Sequence, residues 1–297
     1  MRFLLLPLIA LISIGFKSCS DTESVNNKDE NEKILVTEQQ SLPPLPDSVS
    51  FCGQLVAIDN FDLEERLDLE LIVNSYYHSA TIQIIKRANR YFPEIERVLE
   101  EEGMPDDLKY IAVIESSLKQ AISRTGAKGF WQFMPAAGKE HGLEMSAQVD
   151  ERFHIEKSTR AACDYFKNSM RKFDDWYLAA ASYNCGIGGL NKEIERQEST
   201  NFFDLYLNKE TSRYVFRLLA LKIILQNPKA YGFDPEKLEL YEGVDTKSYK
   251  VTSSIDDLAI WAKNKGSNLR MLKVLNPWLI GNSLPVGQKE YTIKLPK

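Results

Sequence analysis

The sequence predicts a mainly α protein, with a helical body over residues 51–228 (core 92–225) followed by a small α+β unit over 245–297. Three observations predict it. From about residue 63 to 226 nearly every segment spaces its apolar residues as a helix does, with breaks where Gly and Pro fall. After Asn227-Pro228 and Tyr231-Gly232 the pattern changes: Tyr249-Lys250-Val251-Thr252 and Tyr291-Thr292-Ile293-Lys294-Leu295 alternate as short strands and enclose two helical pieces, Ile255–Lys265 and Leu269–Leu275, in the order strand, helix, helix, strand. Finally, 297 residues with 43% hydrophobic content suffice to bury a real core.

At the N-terminus, Met1-Arg2 and the apolar run 3–16 read as an export signal, too short to span a bilayer comfortably. Cys19 follows Ser18 where cleavage would occur, which resembles a bacterial lipoprotein signal with Cys19 as the lipidated residue. The alternative is a plain secretory peptide or a membrane anchor, with Cys19 incidental. Ser20-Asp21-Thr22-Glu23 is similar to an acidic sorting stretch and points to the outer membrane. Residues 20–50 are rich in Asp, Glu, Asn and Ser, end near Leu42-Pro43-Pro44-Leu45-Pro46, and read as a flexible tether.

Within the body, Pro93 suits the first position of a helix and Gly103 a C-cap, and Pro105-Asp106-Asp107 restarts the chain into a helix over 107–115. In that helix Leu108, Ile111, Ala112 and Glu115 fall at i, i+3, i+4 and i+7, and Tyr110, Val113 and Ile114 fill much of the remainder. A carboxyl at the edge of such a core loses solvation, which favours its protonated form and makes Glu115 a proton donor near neutral pH. A Glu at a helix end reaching water is the competing interpretation.

Downstream, Gly126-Ala127-Lys128-Gly129-Phe130-Trp131-Gln132-Phe133-Met134-Pro135 forms a loop whose glycines permit close backbone approach to a ligand. Aromatic faces beside one amide, Gln132, suit the C–H faces and hydroxyls of sugars, although each aromatic alone reads as core. The small-residue run in Leu178-Ala179-Ala180-Ala181-Ser182-Tyr183-Asn184-Cys185-Gly186 lets a helix pack closely, with Tyr183 and Asn184 near its end.

Composition narrows the function. A net charge of -5 without a basic stripe leaves no electrostatic footprint for nucleic acid. Cys52, Cys163 and Cys185, with His78, His141 and His154, lack metal-ligand spacing, so neither a metal nor a disulfide scaffold is expected.

Glu115-Ser116, the loop 126–135, the Ser182–Gly186 segment and Glu210-Thr211 with Tyr214-Val215, in this order and spacing, resemble the soluble lytic transglycosylase (goose-lysozyme-like) family, most closely its membrane-bound murein transglycosylase D branch. The resemblance covers about 69–225 and implies a lysozyme-like helical domain that works without a cofactor. It implies that Glu115 is the catalytic carboxyl for the β-1,4 bond between N-acetylmuramic acid and N-acetylglucosamine in peptidoglycan. Glu115 would protonate the glycosidic oxygen and then take the proton of the C6 hydroxyl, leaving a 1,6-anhydro end. Ser116, Gln132, Met134, Tyr183, Asn184 and Tyr214 would line the glycan cleft, with a Tyr hydroxyl helping to place the proton. The chain departs from the family at Ser117-Leu118-Lys119-Gln120, at Ala137 and at Cys185.

Tyr249-Lys250-Val251, Leu258-Ala259, Trp261, Leu272, Leu275, Asn276-Pro277 and Leu284-Pro285-Val286-Gly287 resemble a lysin motif, which implies a domain holding glycan strands near the cleft. The alternatives are a cap that merely completes the fold, a goose-type hydrolase of the same fold, and a non-catalytic wall-binding protein. The protein is expected on the periplasmic side of the outer membrane.

Overall fold

The computed structural model describes residues Leu42–Lys297. The export segment, Cys19 and most of the tether lie outside the described residues. Where composition predicts a tether to about Ser50, the chain enters a strand earlier: β1 (Ser48–Phe51) pairs antiparallel with β2 (Gln54–Ala57). Cys52 and Gly53, with φ of 50° and 83°, form the two-residue turn, whose positive φ values match the twist of the strands. Polar Ser48 and Ser50 alternate with buried Val49 and Phe51, a period-two pattern too short to stand out within a polar tether.

The body is helical: α1 (Phe61–Tyr76), α2 (His78–Glu101), α3 (Lys109–Ser116), α4 (Pro135–Glu140), α5 (Ile155–Phe173), α6 (Trp176–Cys185), α7 (Ile187–Gln197) and α8 (Lys209–Gln226). Pro93, expected to open a helix, lies inside α2. The carbonyl it leaves unpaired is that of Asn89, an exposed residue that water can serve. Gly103 does end this helix, with φ of 65° and Met104 N donating to Leu99 O at 2.8 Å.

Helix α8 is buried along most of its length and packs on α1, α3 and α6. Asn208 caps it by accepting from Glu210 N and Thr211 N, each at 3.0 Å. Near its other end Lys222 Nζ donates to Ser50 O at 2.7 Å and to Asp107 Oδ2 at 2.6 Å, while Cys52 N donates to the same carboxylate oxygen at 2.7 Å. The hairpin is thereby tied to the restart that begins the Glu115 helix.

The C-terminal unit has the predicted order of strand, helix, helix, strand. Strand β3 (Thr246–Val251) pairs antiparallel with β4 (Tyr291–Pro296), with α9 (Leu258–Asn264) and α10 (Leu269–Leu275) between them. The first helix begins at Leu258, three residues later than its apolar pattern suggests. Ile255 is taken by a bridge to Leu284, and Asp257 caps α9 through Ala259 N and Ile260 N. Among the described residues no helix is long and apolar enough to cross a membrane.

Candidate active site

Glu115 occupies the last turn of α3, whose Tyr110, Ile111, Ala112 and Val113 are all buried. The helix stops there because Ser117 and Leu118 both adopt the left-handed region, with φ of 53° and 55°. Leu118 is buried and Arg87 Nε donates to Ser117 O at 2.7 Å, so packing and a charged donor hold a turn that the backbone alone disfavours. This turn lies in the stretch Ser117-Leu118-Lys119-Gln120, where the sequence departs from the pattern it resembles.

Tyr214, on α8, donates its hydroxyl to Glu115 Oε1 at 2.7 Å. Burial pushes the carboxyl up to about 7; the Tyr214 bond and the Arg217 charge oppose this, and the Glu210 charge adds to it. Tyr214 is itself held well above the ordinary phenol range by burial and by Glu115, so it remains a donor. With Oε1 accepting from Tyr214, the acidic proton of the neutral carboxyl belongs on Oε2, the oxygen left for a substrate.

The glycine loop reaches the same place. Tyr183 donates its hydroxyl to Trp131 O at 2.7 Å, and its ring meets Phe133 edge-on. Phe130, Trp131 and Phe133 are buried, and Trp131 Nε1 donates to Thr159 Oγ1 at 2.9 Å. These rings are core residues and not the sugar platforms that the loop's composition suggests. Gln132, held at φ of 49°, donates Nε2 to Gly129 O at 2.7 Å and to Ala121 O at 3.2 Å. Its donors fasten the loop, which leaves the amide oxygen as the group it can offer a ligand.

The remaining predicted residues divide. Met134 is 43% exposed at the start of α4 and offers an adaptable apolar contact. Asn184 accepts from Thr211 Oγ1 at 2.8 Å, which leaves its amide hydrogens free to point elsewhere. Asn184 is in the last turn of α6, and Gly186 rather than the asparagine caps that helix. Ser116 is buried and its hydroxyl donates to Ala112 O at 3.1 Å, back into its own helix.

Two participants were not anticipated. Thr211 orients Asn184, and Arg217 brings a positive charge to Glu115, its buried Nε having no hydrogen-bond partner among the described residues. Thr211, Tyr214 and Arg217 follow at i, i+3 and i+6, one face of α8, and that spacing is visible in the sequence.

Residues 93–205 match the transglycosylase SLT domain, and residues 247–297 match the soluble lytic transglycosylase C-terminal LysM-like domain. Membrane-bound lytic murein transglycosylase D of Escherichia coli K12 is 31% identical over 312 residues, covering 97% of this chain and 67% of that protein. A putative tributyltin chloride resistance protein of Alteromonas sp. M-1 is 34% identical over 110 residues, covering 36% of this chain and 53% of that protein. Among solved structures, an inactive mutant of the lytic transglycosylase Slt from Pseudomonas aeruginosa aligns over 46% of this chain and 24% of its own, at 22% identity and a TM-score of 0.38.

Proposed function

The chain belongs to the lytic murein transglycosylases, and from that premise we propose that Glu115 is the single acid and base of its reaction. The protein is a peptidoglycan lytic transglycosylase. Near neutral pH Glu115 gives the proton on Oε2 to the glycosidic oxygen between N-acetylmuramic acid and N-acetylglucosamine, which breaks the β-1,4 bond. The carboxylate, steadied by Tyr214 and Arg217, then accepts the proton of the muramoyl C6 hydroxyl as that oxygen bonds to C1. The product is a 1,6-anhydro end, and water is not consumed. The observation that carries this reading is a carboxyl raised to about 7 by burial while a phenol fixes one of its oxygens.

A hydrolase would need a second carboxylate about 5 to 9.5 Å from the first. Glu210, whose charge reaches Glu115, is exposed in the first turn of α8, one turn before Tyr214. Its position favours solvent over a catalytic pairing. Mass spectrometry of digested murein decides between the two chemistries, since anhydro ends are lighter than reducing ends by one water. Reducing ends would sink the proposal, as would wall lysis undiminished in Glu115→Gln.

Met134, Asn184 and the oxygen of Gln132 are proposed to bind the glycan, and the C-terminal LysM-like unit to hold N-acetylglucosamine-containing strands. The N-terminal run and Cys19 support export and a lipid anchor on the periplasmic side of the outer membrane. Labelled fatty acid should enter the parent protein and not Cys19→Ala.

A further inference from the structure

Segment 144–153 has two sets of partners. On one side it is part of the C-terminal unit. Asp150 N donates to Trp278 O at 2.8 Å, and Gln148 O accepts from Ile280 N and Gly281 N at 2.9 and 3.1 Å. Val149 pairs with Leu279, and both Val149 and Phe153 lie in the hydrophobic cluster of that unit. Glu144 takes an ion pair from Lys289 at 2.7 Å and the Tyr291 hydroxyl at 3.0 Å. The fit at Gly281 is close: a Cβ there would stand 2.8 Å from Gln148 Cα.

On its other side the segment grips the glycine loop. Arg152, only 5% exposed, is paired with Asp150 through Nε at 2.9 Å and Nη2 at 2.8 Å. Its Nη1 donates to Gly126 O at 3.0 Å and to Phe133 O at 3.2 Å, the two ends of the loop. Lys128 reaches Asp150 at 3.0 Å, and Gly129 rests so tightly on the segment that a Cβ would lie 1.8 Å from Arg152 O. Within the loop, Trp131 O receives the Tyr183 hydroxyl beside Glu115.

We infer that Arg152 is a positioning residue of the catalytic centre and that the C-terminal unit, by holding the segment that carries it, sets the geometry of the glycine loop. A desolvated Arg–Asp pair tolerates little displacement, because each charge must keep its partners. The two bonds from Arg152 to opposite ends of the loop therefore transmit any shift of 148–150 to the wall of the cleft. A module that only tethers strands would lack such a seam, and its loss would matter only for substrates long enough to reach it. The inference rests on reading this loop as a wall of the glycan cleft.

Amide hydrogen exchange on the full chain carrying Gly281→Val tests the coupling, with Gly281→Ala as the milder variant if the larger side chain prevents folding. Gly281 lacks a positive φ, so either change acts through the seam and not through backbone strain. Opening the seam should speed exchange at 148–150 and at 126–133 together. For a soluble tetrasaccharide KM should rise by about tenfold, the equivalent of about 1.4 kcal/mol of lost binding. The basic limb of the kcat profile should stay where it is, because Glu115 and Tyr214 sit on α3 and α8. Arg152→Lys, which keeps the charge and loses the fork, should give the same rise in KM with exchange at 278–281 undisturbed. Faster exchange at 148–150 with none at 126–133, and an unchanged KM for the tetrasaccharide, would overturn the inference. If the parent releases no anhydro product the functional reading fails, and the exchange data still decide the coupling.

Discussion

Burial lifts the Glu115 carboxyl from 4.5 to about 7, so the folded protein binds this proton more tightly than the unfolded chain does. The stability tied to the proton is fully present below 4.5 and is lost as pH rises through about 7. At about pH 8 the ionised carboxylate should cost the folded state roughly 3 kcal/mol, which a neutral amide avoids. Urea unfolding should therefore find Glu115→Gln more stable than the parent at that pH and nearly equal at about pH 4. Activity responds in the same sense, since the reaction needs the proton: kcat should fall as pH rises, with an apparent pKa near 7. Tyr214→Phe removes a bond that favours the charged form, so the basic limb should move up by roughly one pH unit while kcat drops. A limb that moves down, or stays, would mean the phenol does not touch the carboxyl in solution. Glu115 was legible because its apolar neighbours recur at helical spacing. Its partner, Tyr214, lies 99 positions away with nothing local to join the two, so only the family resemblance brought it to the site.

Among the elements, α3 shows how short-range and long-range causes divide. Pro105 and the aspartates announce its start, and its apolar run announces burial. Its end is set by Ser117 and Leu118 in left-handed conformations, which no glycine marks and which depend on Arg87 from α2. The aromatics of the glycine loop misled for a related reason: composition cannot say whether a ring faces a ligand or a core. The hairpin β1–β2 was missed because four-residue strands leave too little alternation to detect. Its attachment is nonetheless strong in design, since one carboxylate, Asp107, serves both Lys222 and the Cys52 amide. Asp107→Ala would strand a buried ammonium, and such a break costs about 3 to 5 kcal/mol. Chemical denaturation should register that loss, with proteolysis appearing first near residues 48–57. A loss under about 1 kcal/mol would show the pair to be an exposed ornament of the kind surface ion pairs often are.

For the whole molecule, the order of elements in the C-terminal unit could be read from its alternation, while its docking could not. The seam is made largely of backbone groups, Gln148 O, Trp278 O and the amides of Asp150, Ile280 and Gly281, which leave no trace in side-chain pattern. Val149 and Phe153 come from the helical part yet fill the core of the smaller unit, so that unit's hydrophobic cluster is incomplete without them. Two units that share core residues lose their cores together, and calorimetry of the parent should show one transition whose van't Hoff and calorimetric enthalpies agree. Phe153→Ala would leave a cavity in the shared cluster and should cost about 3 kcal/mol or more. That loss should divide the single transition, the C-terminal unit melting first, because the larger helical core keeps Trp131, Phe166 and Phe216 intact. Two separate endotherms in the unaltered protein would mean that the units fold independently, and the smaller one would then be a tethered module with no hold on the cleft.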